Sequence, residues 1–204
     1  MLNSKNIASS ENQRGKLSKT DYLDIAVYGD ITPDGGLSPD TQTLLAKAQA
    51  LAEHVNVKVA LVRCGNGITR LSRALFRFGP DRIFVYDAPV YQNLTAEVME
   101  AVFAHYFENY KPSVVLFPDT AAGSAGFEAA RQCTEGLGVK TPSGVSIRSN
   151  KDLIFDTPGF ERIKEMRPQL VLLTAEKREN LALPGQDGNR GGELILCELP
   201  EALR

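Results

Sequence analysis

The stretch KPSVVLFPDTAAGSAG, residues 111–126, decides the fold that this sequence predicts. Its apolar run Val114–Phe117 has the composition of a β-strand and ends at the tripeptide Pro118–Thr120. The glycine, alanine and serine residues at 121–126 then open a helical pattern that continues to about Leu137. A strand followed directly by a helix is the repeating unit of proteins with parallel sheets.

The same unit occurs three more times upstream. Strand-like runs lie at 23–28, 57–62 and 83–86. The helical patterns that follow them lie at 39–55, 68–78 and 94–110. Parallel neighbours cannot be joined by a tight turn, so each strand needs a crossover helix. We therefore predict a three-layer α/β fold, with a mostly parallel sheet flanked by helices.

The two ends of the chain have a different character. Residues 1–20 are polar and predict a disordered tail, which leaves 21–204 as a single α/β domain. In the last third, no long helix separates the strand-like runs, and we predict that these strands extend one edge of the sheet. The runs lie at 145–147, 153–155, 170–173 and 194–199. The glycine-rich segment 182–192 predicts a mobile loop.

The composition excludes several classes of function. The chain of 204 residues has a formal net charge of -2. It therefore lacks the surplus of Lys and Arg that binding to nucleic acid requires. No apolar run reaches the roughly 18 residues that span a bilayer, and the amino terminus lacks the apolar core of a secretory signal. The three cysteines are far apart, which predicts no disulfide framework, zinc site or iron–sulfur site. This cysteine usage indicates a reducing, cytoplasmic setting.

The candidate site lies at the carboxyl ends of the predicted strands, because ligands of parallel sheets bind there. Its residues are Gly29, Asp30, Gly65, Asp87, Asp119, Thr120, Gly123, Ser124 and Gly126. The small residues at 121–126 would expose backbone N–H groups at the positive end of a helix dipole, where a nucleotide phosphate can bind. Ser124 would add a hydroxyl donor. The alternative is a tight turn with close packing, since the segment matches neither the Walker nor the GxGxxG pattern.

Two aspartates of this set and the two histidines of the chain each have two interpretations. Asp87 and Asp119 could together bind Mg²⁺ or a ribose, or each could cap a turn or the next helix. His54 lies near a helix end and His105 lies within a helix, and we predict structural partners for both rather than catalysis. We assign no catalytic residue and no metal ligand.

The predicted helix 94–110 carries two apolar stripes. The second stripe consists of Met99, Phe103, Tyr106 and Tyr110. Burial against the sheet explains one stripe, whereas the second could be core or could face a protein partner.

The order and spacing of short motifs from Asp24 to about Leu173 resembles the amino-terminal domain of the electron transfer flavoprotein alpha subunit. The motifs are Gly29-Asp30 with Gly36-Leu37-Ser38, Leu44–Ala48 with Val59–Val62, Phe78–Asp87 with Tyr91, Lys111–Phe117, Gly123–Leu137 and Arg167–Gln169. This resemblance implies a Rossmann-like fold of the adenine nucleotide alpha hydrolase-like kind. Ser124 stands where that family usually has arginine.

The resemblance also implies which cofactors to expect. That family holds FAD mainly in a second domain, in the carboxyl half of the alpha subunit, and this chain ends at Arg204. The family's T-V-R motif is altered here to Leu172-Leu173-Thr174-Ala175-Glu176, so no FAD-binding residue is carried over. We expect no cofactor to be bound firmly by this chain alone. Binding of FAD would require a partner chain or a missing domain. The family binds AMP in its beta subunit, so binding of AMP by this chain would require an altered cleft.

Three functions are compatible with these patterns. The first is a scaffold or docking subunit for electron transfer, in an oligomer with a beta-like subunit or a flavoprotein dehydrogenase, without turnover of its own. The second is a stand-alone module that binds AMP or ATP. The third is a fragment of a flavoprotein whose FAD domain is encoded separately. None of the three involves nucleic acid or insertion into a membrane.

Overall fold

The computed structural model describes residues 21–32, 34–134, 138–140, 145–147, 153–154, 167–174 and 191–204. The predicted tail at 1–20 and most of the predicted loop at 182–192 lie outside the described residues.

Nine strands occur in the described part of the chain, and seven of them form one sheet. They are β1 (Ile25–Tyr28), β2 (Val59–Gly65), β3 (Arg82–Asp87), β4 (Val114–Pro118), β5 (Val139–Lys140), β6 (Ser146–Ile147), β7 (Leu153–Ile154), β8 (Gln169–Leu173) and β9 (Glu193–Leu196). The order in the large sheet is β5-β8-β4-β1-β2-β3-β9, and every neighbouring pair is parallel. The predicted parallel α/β sheet is therefore confirmed.

Helices of different regularity connect the central strands. They are α1 (Pro39–Glu53), α2 (Thr69–Ser72), α3 (Ala96–Tyr110) and α4 (Ala121–Gln132). Ser38 caps α1 by accepting a hydrogen bond from the backbone N–H of Thr41, and Pro39 occupies the first turn. Serine and proline are residue types that helices favour at these two positions. The predicted helix at 68–78 is in fact α2 followed by a 3₁₀ helix at Arg73–Phe78, which ends at Gly79 with φ of 86°.

The prediction that the strands of the last third extend one edge of the sheet was wrong. β8 lies beside β4, whereas β9 lies beside β3 on the opposite side of the sheet, so the late strands do not extend a single edge. β6 and β7 form a separate antiparallel pair. The helix expected to reach about Leu137 ends at Gln132, and residues 135–137 are outside the described part. Apolar runs predict that strands exist, but the crossovers between them decide which edge each strand joins.

Two hydrophobic clusters fill the spaces between the layers. The first includes Leu44, Leu45 and Leu51 of α1 against one face of the sheet. The second covers the other face and includes residues of both α3 and α4, such as Phe103 and Phe127. Burial on both faces explains the nearly continuous apolar composition of the central strands.

Both apolar stripes of α3 belong to this second cluster. Met99, Phe103 and Tyr106 are buried together with Val98 and Val102. The ring of Phe103 contacts the rings of Tyr28 and Phe117 at centroid distances of 5.6 and 5.4 Å. The second stripe is therefore core, and the interface alternative for it was wrong, because α3 packs on the sheet and on α4 at once.

The three cysteines, Cys64, Cys133 and Cys197, are free thiols. Cys64 lies in β2 inside the second cluster, and the other two are half-buried. None of the helices within the described residues has the length and apolar character needed to cross a bilayer.

Candidate functional site

The strand order reverses between β1 and β4. From β1 the chain continues to β2 and β3 on one side, and then returns to β4 on the other side of β1. A crevice opens at such a switch point because the two flanking connections leave in opposite directions. Gly29 and Asp30 follow β1 there, and Asp119 and Thr120 follow β4. The structure thus brings the two predicted groups to neighbouring strand ends.

The remaining candidates lie further along the same edge. Gly65 ends β2 and Asp87 ends β3, and the two residues are partners in the parallel register. The candidate residues that follow four strands therefore lie at the same end of the sheet, where the carboxyl ends of the parallel strands meet, as the sequence predicts.

The Asp87 carboxylate accepts hydrogen bonds from groups of its own chain. It accepts hydrogen bonds from the backbone N–H of Gly67 at 2.6 Å and of Thr69 at 2.9 Å, and from the Thr69 hydroxyl. Partial burial acts to raise the pKa of Asp87, but these hydrogen bonds outweigh it and hold the pKa below its ordinary value. These contacts match the capping interpretation, since the carboxylate closes the turn that leads into α2.

Asp119 lies in a more open position beside β8. Its carboxylate accepts a hydrogen bond from the Thr174 hydroxyl at 3.1 Å, and its backbone N–H donates to the carbonyl oxygen of Leu173 at 3.2 Å. The residue is exposed at the mouth of the crevice. An exposed carboxylate of this kind can accept hydrogen bonds from a ribose, but it repels a phosphate.

The first turn of α4 is capped by Thr120. The Thr120 hydroxyl accepts a hydrogen bond from the backbone N–H of Gly123 at 3.0 Å. The backbone carbonyl oxygen of Thr120 accepts a hydrogen bond from the N–H of Ser124 at 2.8 Å. The backbone N–H groups of Ala121 and Ala122 lie in the first turn, where a helix has no internal acceptors for them. These donors and the half-exposed Ser124 are what this helix end can offer to an anion.

Close packing explains the glycines of this segment. A Cβ atom on Gly123 would lie 1.9 Å from the carbonyl oxygen of Pro118, and one on Gly126 would lie 3.0 Å from the Tyr28 ring. Both glycines are buried. The alternative of a tight strand–helix turn therefore accounts for these two positions without a ligand, and a role in nucleotide binding stays a prediction.

The loop after β1 is held by the start of α1. Gly29 donates its backbone N–H to the carbonyl oxygen of Val62 at 2.8 Å. Asp30 donates its N–H to the Thr41 hydroxyl at 3.1 Å and accepts at its carbonyl oxygen from Ser38. The crevice wall formed by β1 is thus fixed through backbone contacts, which leaves the Asp30 carboxylate half-exposed.

Sequence reasoning missed Arg63, which is fully buried in β2. Its guanidinium donates to the carbonyl oxygen of Gly35 at 2.9 Å and to the Ser72 hydroxyl at 3.2 Å, while its Nε atom has no partner. Burial lowers the pKa of Arg63 to about 10, against the raising effect of the Asp87 carboxylate. A single cation inside the apolar run Val59–Gly65 is the signal that could have found it.

The surroundings of the two histidines differ. His105 shares a hydrogen bond of 2.9 Å between its Nδ1 atom and the hydroxyl of the buried Tyr86. His54 is the residue that ends α1, and it is exposed. Within the described ranges, no group of three or more His, Cys, Asp or Glu side chains is arranged to hold a metal ion.

Comparisons of the sequence with known proteins identify the family of this chain. The profile of the Electron transfer flavoprotein domain matches residues 25–201. The chain is 30% identical over 151 residues to the lactate dehydrogenase (NAD(+),ferredoxin) subunit LctC of Acetobacterium woodii, which is 74% of this chain and 36% of that protein. It is 32% identical over 103 residues to the electron transfer flavoprotein subunit alpha of Thermoanaerobacterium thermosaccharolyticum, which is 50% of this chain and 31% of that protein.

The matched segments cover about a third of the length of these two relatives. The family match, by contrast, runs from the first residue of β1 to beyond the end of β9, and so includes the whole seven-stranded sheet. The predicted resemblance is confirmed, and the chain belongs to the electron transfer flavoprotein domain family.

Proposed function

We propose that this chain is an alpha-subunit-like docking subunit for electron transfer, which acts in the cytoplasm with a beta-like subunit or a flavoprotein dehydrogenase. The observation that carries the proposal is the family match over residues 25–201, together with relatives that are named as an electron transfer flavoprotein subunit and as a subunit of a lactate dehydrogenase. Because the chain spans only about a third of those relatives, the partner and the cofactor are part of the proposal.

A positioning role agrees with the way the strand ends are built. Asp87 and Thr120 bind backbone groups of their own chain, and Gly123 is occupied by close packing. These contacts hold the turns at the carboxyl ends of β3 and β4, which suits a surface that positions a partner. FAD would supply the redox chemistry when bound, and we propose that a partner chain or a separately encoded domain supplies its main contacts.

The test is co-expression of the chain with a beta-like subunit encoded near it. We expect co-elution in size-exclusion chromatography as a complex larger than the 22.3 kDa chain, and a yellow flavin absorbance that the chain alone lacks. If the chain elutes separately from every flavoprotein subunit tested, the docking proposal is refuted. If the chain alone retains FAD at stoichiometric amounts, the proposal that the cofactor comes from elsewhere is refuted.

The switch point between β1 and β4 favours a second candidate function, which is binding of AMP or ATP. The N–H groups of Ala121 and Ala122 and the hydroxyl of Ser124 would meet the phosphate, and Asp119 would meet the ribose. The Asp119 carboxylate weakens a phosphate site, so we rank this function below docking. An increase in the melting temperature with millimolar AMP or ATP would support it, since a ligand that binds the folded state stabilises that state.

A further inference from the structure

The edge strand β9 (Glu193–Leu196) ends one side of the seven-stranded sheet. Leu196 is 62% exposed, which is more than any other large apolar side chain of the described residues. Exposed apolar side chains on an edge strand are uncommon, because such an edge can pair with another chain.

The backbone of β9 is ready to pair on its outer side. The N–H groups of Glu193 and Cys197 donate to the carbonyl oxygens of Asp81 and Val85, each at 2.9 Å, so these residues face β3. Backbone groups alternate in direction along a strand. The N–H and carbonyl groups of Leu194 and Leu196 therefore point away from β3, towards the open side of the sheet.

The side chains of β9 are complementary to a second copy of the same strand. A two-fold axis at Ile195 would place Leu194 of one copy opposite Leu196 of the other, and the reverse. Alternate residues share a face of a strand, so the two leucines of each pair lie on the same face. Leu194 already packs against the first hydrophobic cluster, and a partner's Leu196 would extend that cluster across the edge.

The charges near β9 agree with this register. Glu193 is paired with Arg82 at 3.1 Å, and Glu198 lies 3.5 Å from Arg204. In the two-fold register Glu193 faces Cys197 and Glu198 faces Gly192, so no carboxylate opposes another. The segment from Gly191 to Glu198 contains neither lysine nor proline, the residues that commonly protect an edge from pairing.

We propose that this chain forms a homodimer in which two β9 strands pair antiparallel about a two-fold axis at Ile195, so that two seven-stranded sheets become continuous. The pairing is independent of the proposed electron-transfer function. A four-residue strand pair is short and buries less than a standard interface of about 1,200 Å² or more. We therefore expect a dimer that dissociates on dilution.

The first test is sedimentation equilibrium of the full chain over a range of concentrations. We expect a mass that rises from 22.3 kDa towards twice that value. Leu196→Lys should weaken the dimer at least tenfold, because it places a cation against the partner's Leu194. Leu23→Lys is the matched control, since Leu23 is 48% exposed but precedes β1, which is separated from β9 by two strands in the sheet order. A monomer at every concentration, or a dimer that Leu196→Lys leaves unchanged, would overturn the proposal.

A disulfide test fixes the register. In a Cys133→Ser and Cys197→Ser background, Ile195→Cys would form a non-hydrogen-bonded pair across the axis, with Cα atoms about 4.5 Å apart and within reach of a disulfide. Leu196→Cys in the same background is out of register with its own copy, beyond the roughly 7 Å that a disulfide spans. Mild oxidation should cross-link the first variant and not the second. Equal cross-linking of both variants, or of neither, would refute the axis at Ile195.

Discussion

The guanidinium of Arg63 donates a 2.9 Å hydrogen bond to the carbonyl oxygen of Gly35, and so ties β2 to the loop between β1 and α1. Gly35 has φ of 78°, so that loop turns in a conformation that favours glycine. Arg63 also holds Ser72 of α2. One buried cation thus connects three segments beside the carboxyl edge of the sheet.

Arg63→Lys should lower the free energy of unfolding by about 2–4 kcal/mol, because one ammonium cannot replace both directed hydrogen bonds and stays buried. Arg63→Met should cost less, about 1–2 kcal/mol, because it removes the buried charge together with the hydrogen bonds. Urea unfolding of both variants measures the difference. A lysine variant as stable as the wild type would show that the two hydrogen bonds contribute little.

Asp87→Asn should reduce stability by about 1 kcal/mol at neutral pH, because the amide replaces a charged acceptor at the turn before α2. The hydrogen bonds hold the pKa of Asp87 below its ordinary value of 3.8. The unfolded chain therefore binds more protons below that pH, and the stabilisation by this carboxylate is present above pH 3.8 and is lost as pH falls further.

The check is urea unfolding of the wild type and Asp87→Asn at a series of pH values. The difference between the two proteins should shrink as pH falls below 3.8. Asp30→Asn is the control, because the Asp30 carboxylate is half-exposed after β1 and does not bind Thr69. A difference that stays constant over the acid range would contradict the role given to the ionised carboxylate.

Gly123→Ala should destabilise the protein by about 2–3 kcal/mol, because its Cβ atom would overlap the backbone of Pro118 and force α4 away from β4. Gly126→Ala should cost less, since its Cβ atom would press only on the edge of the Tyr28 ring and alanine favours the helix. Thermal unfolding compares the two variants. The packing explanation fails if Gly126→Ala proves the more damaging change.

Ser124→Asp separates nucleotide binding from folding. A carboxylate in the first turn of α4 should leave stability unchanged or raise it by about 0.5 kcal/mol through the helix dipole. It should nevertheless abolish any rise in melting temperature caused by AMP or ATP, because it repels the phosphate. Ser124→Ala is the control and should retain most of the rise. If Ser124→Asp responds to nucleotide as the wild type does, the α4 end is not the phosphate site.

The central strands could be predicted because each is a short apolar run that ends at glycine, aspartate or proline. The cap Ser38 has a local sequence signal as well, whereas α4 is capped by Thr120 and not by the preceding Asp119. The candidate residues lie at the carboxyl ends of the strands, as expected. The sides on which β8 and β9 join the sheet could not be predicted, because edge position depends on crossovers and not on composition. The partners of Arg63 were also hidden, since Gly35 is 28 positions away along the chain.

The reactivity of the Cys64 thiol measures how often the second hydrophobic cluster, in which it is buried, opens to solvent. Burial raises the pKa of this thiol far above its ordinary value, so both thiolate formation and access to reagents require the sheet to separate from α3 and α4. Alkylation of Cys64 should therefore follow global unfolding, whereas Cys133, at a half-buried surface position, should react earlier. Peptide mapping after timed exposure to a maleimide would give the opening rate of this layer without a fluorophore, in a chain that contains no tryptophan.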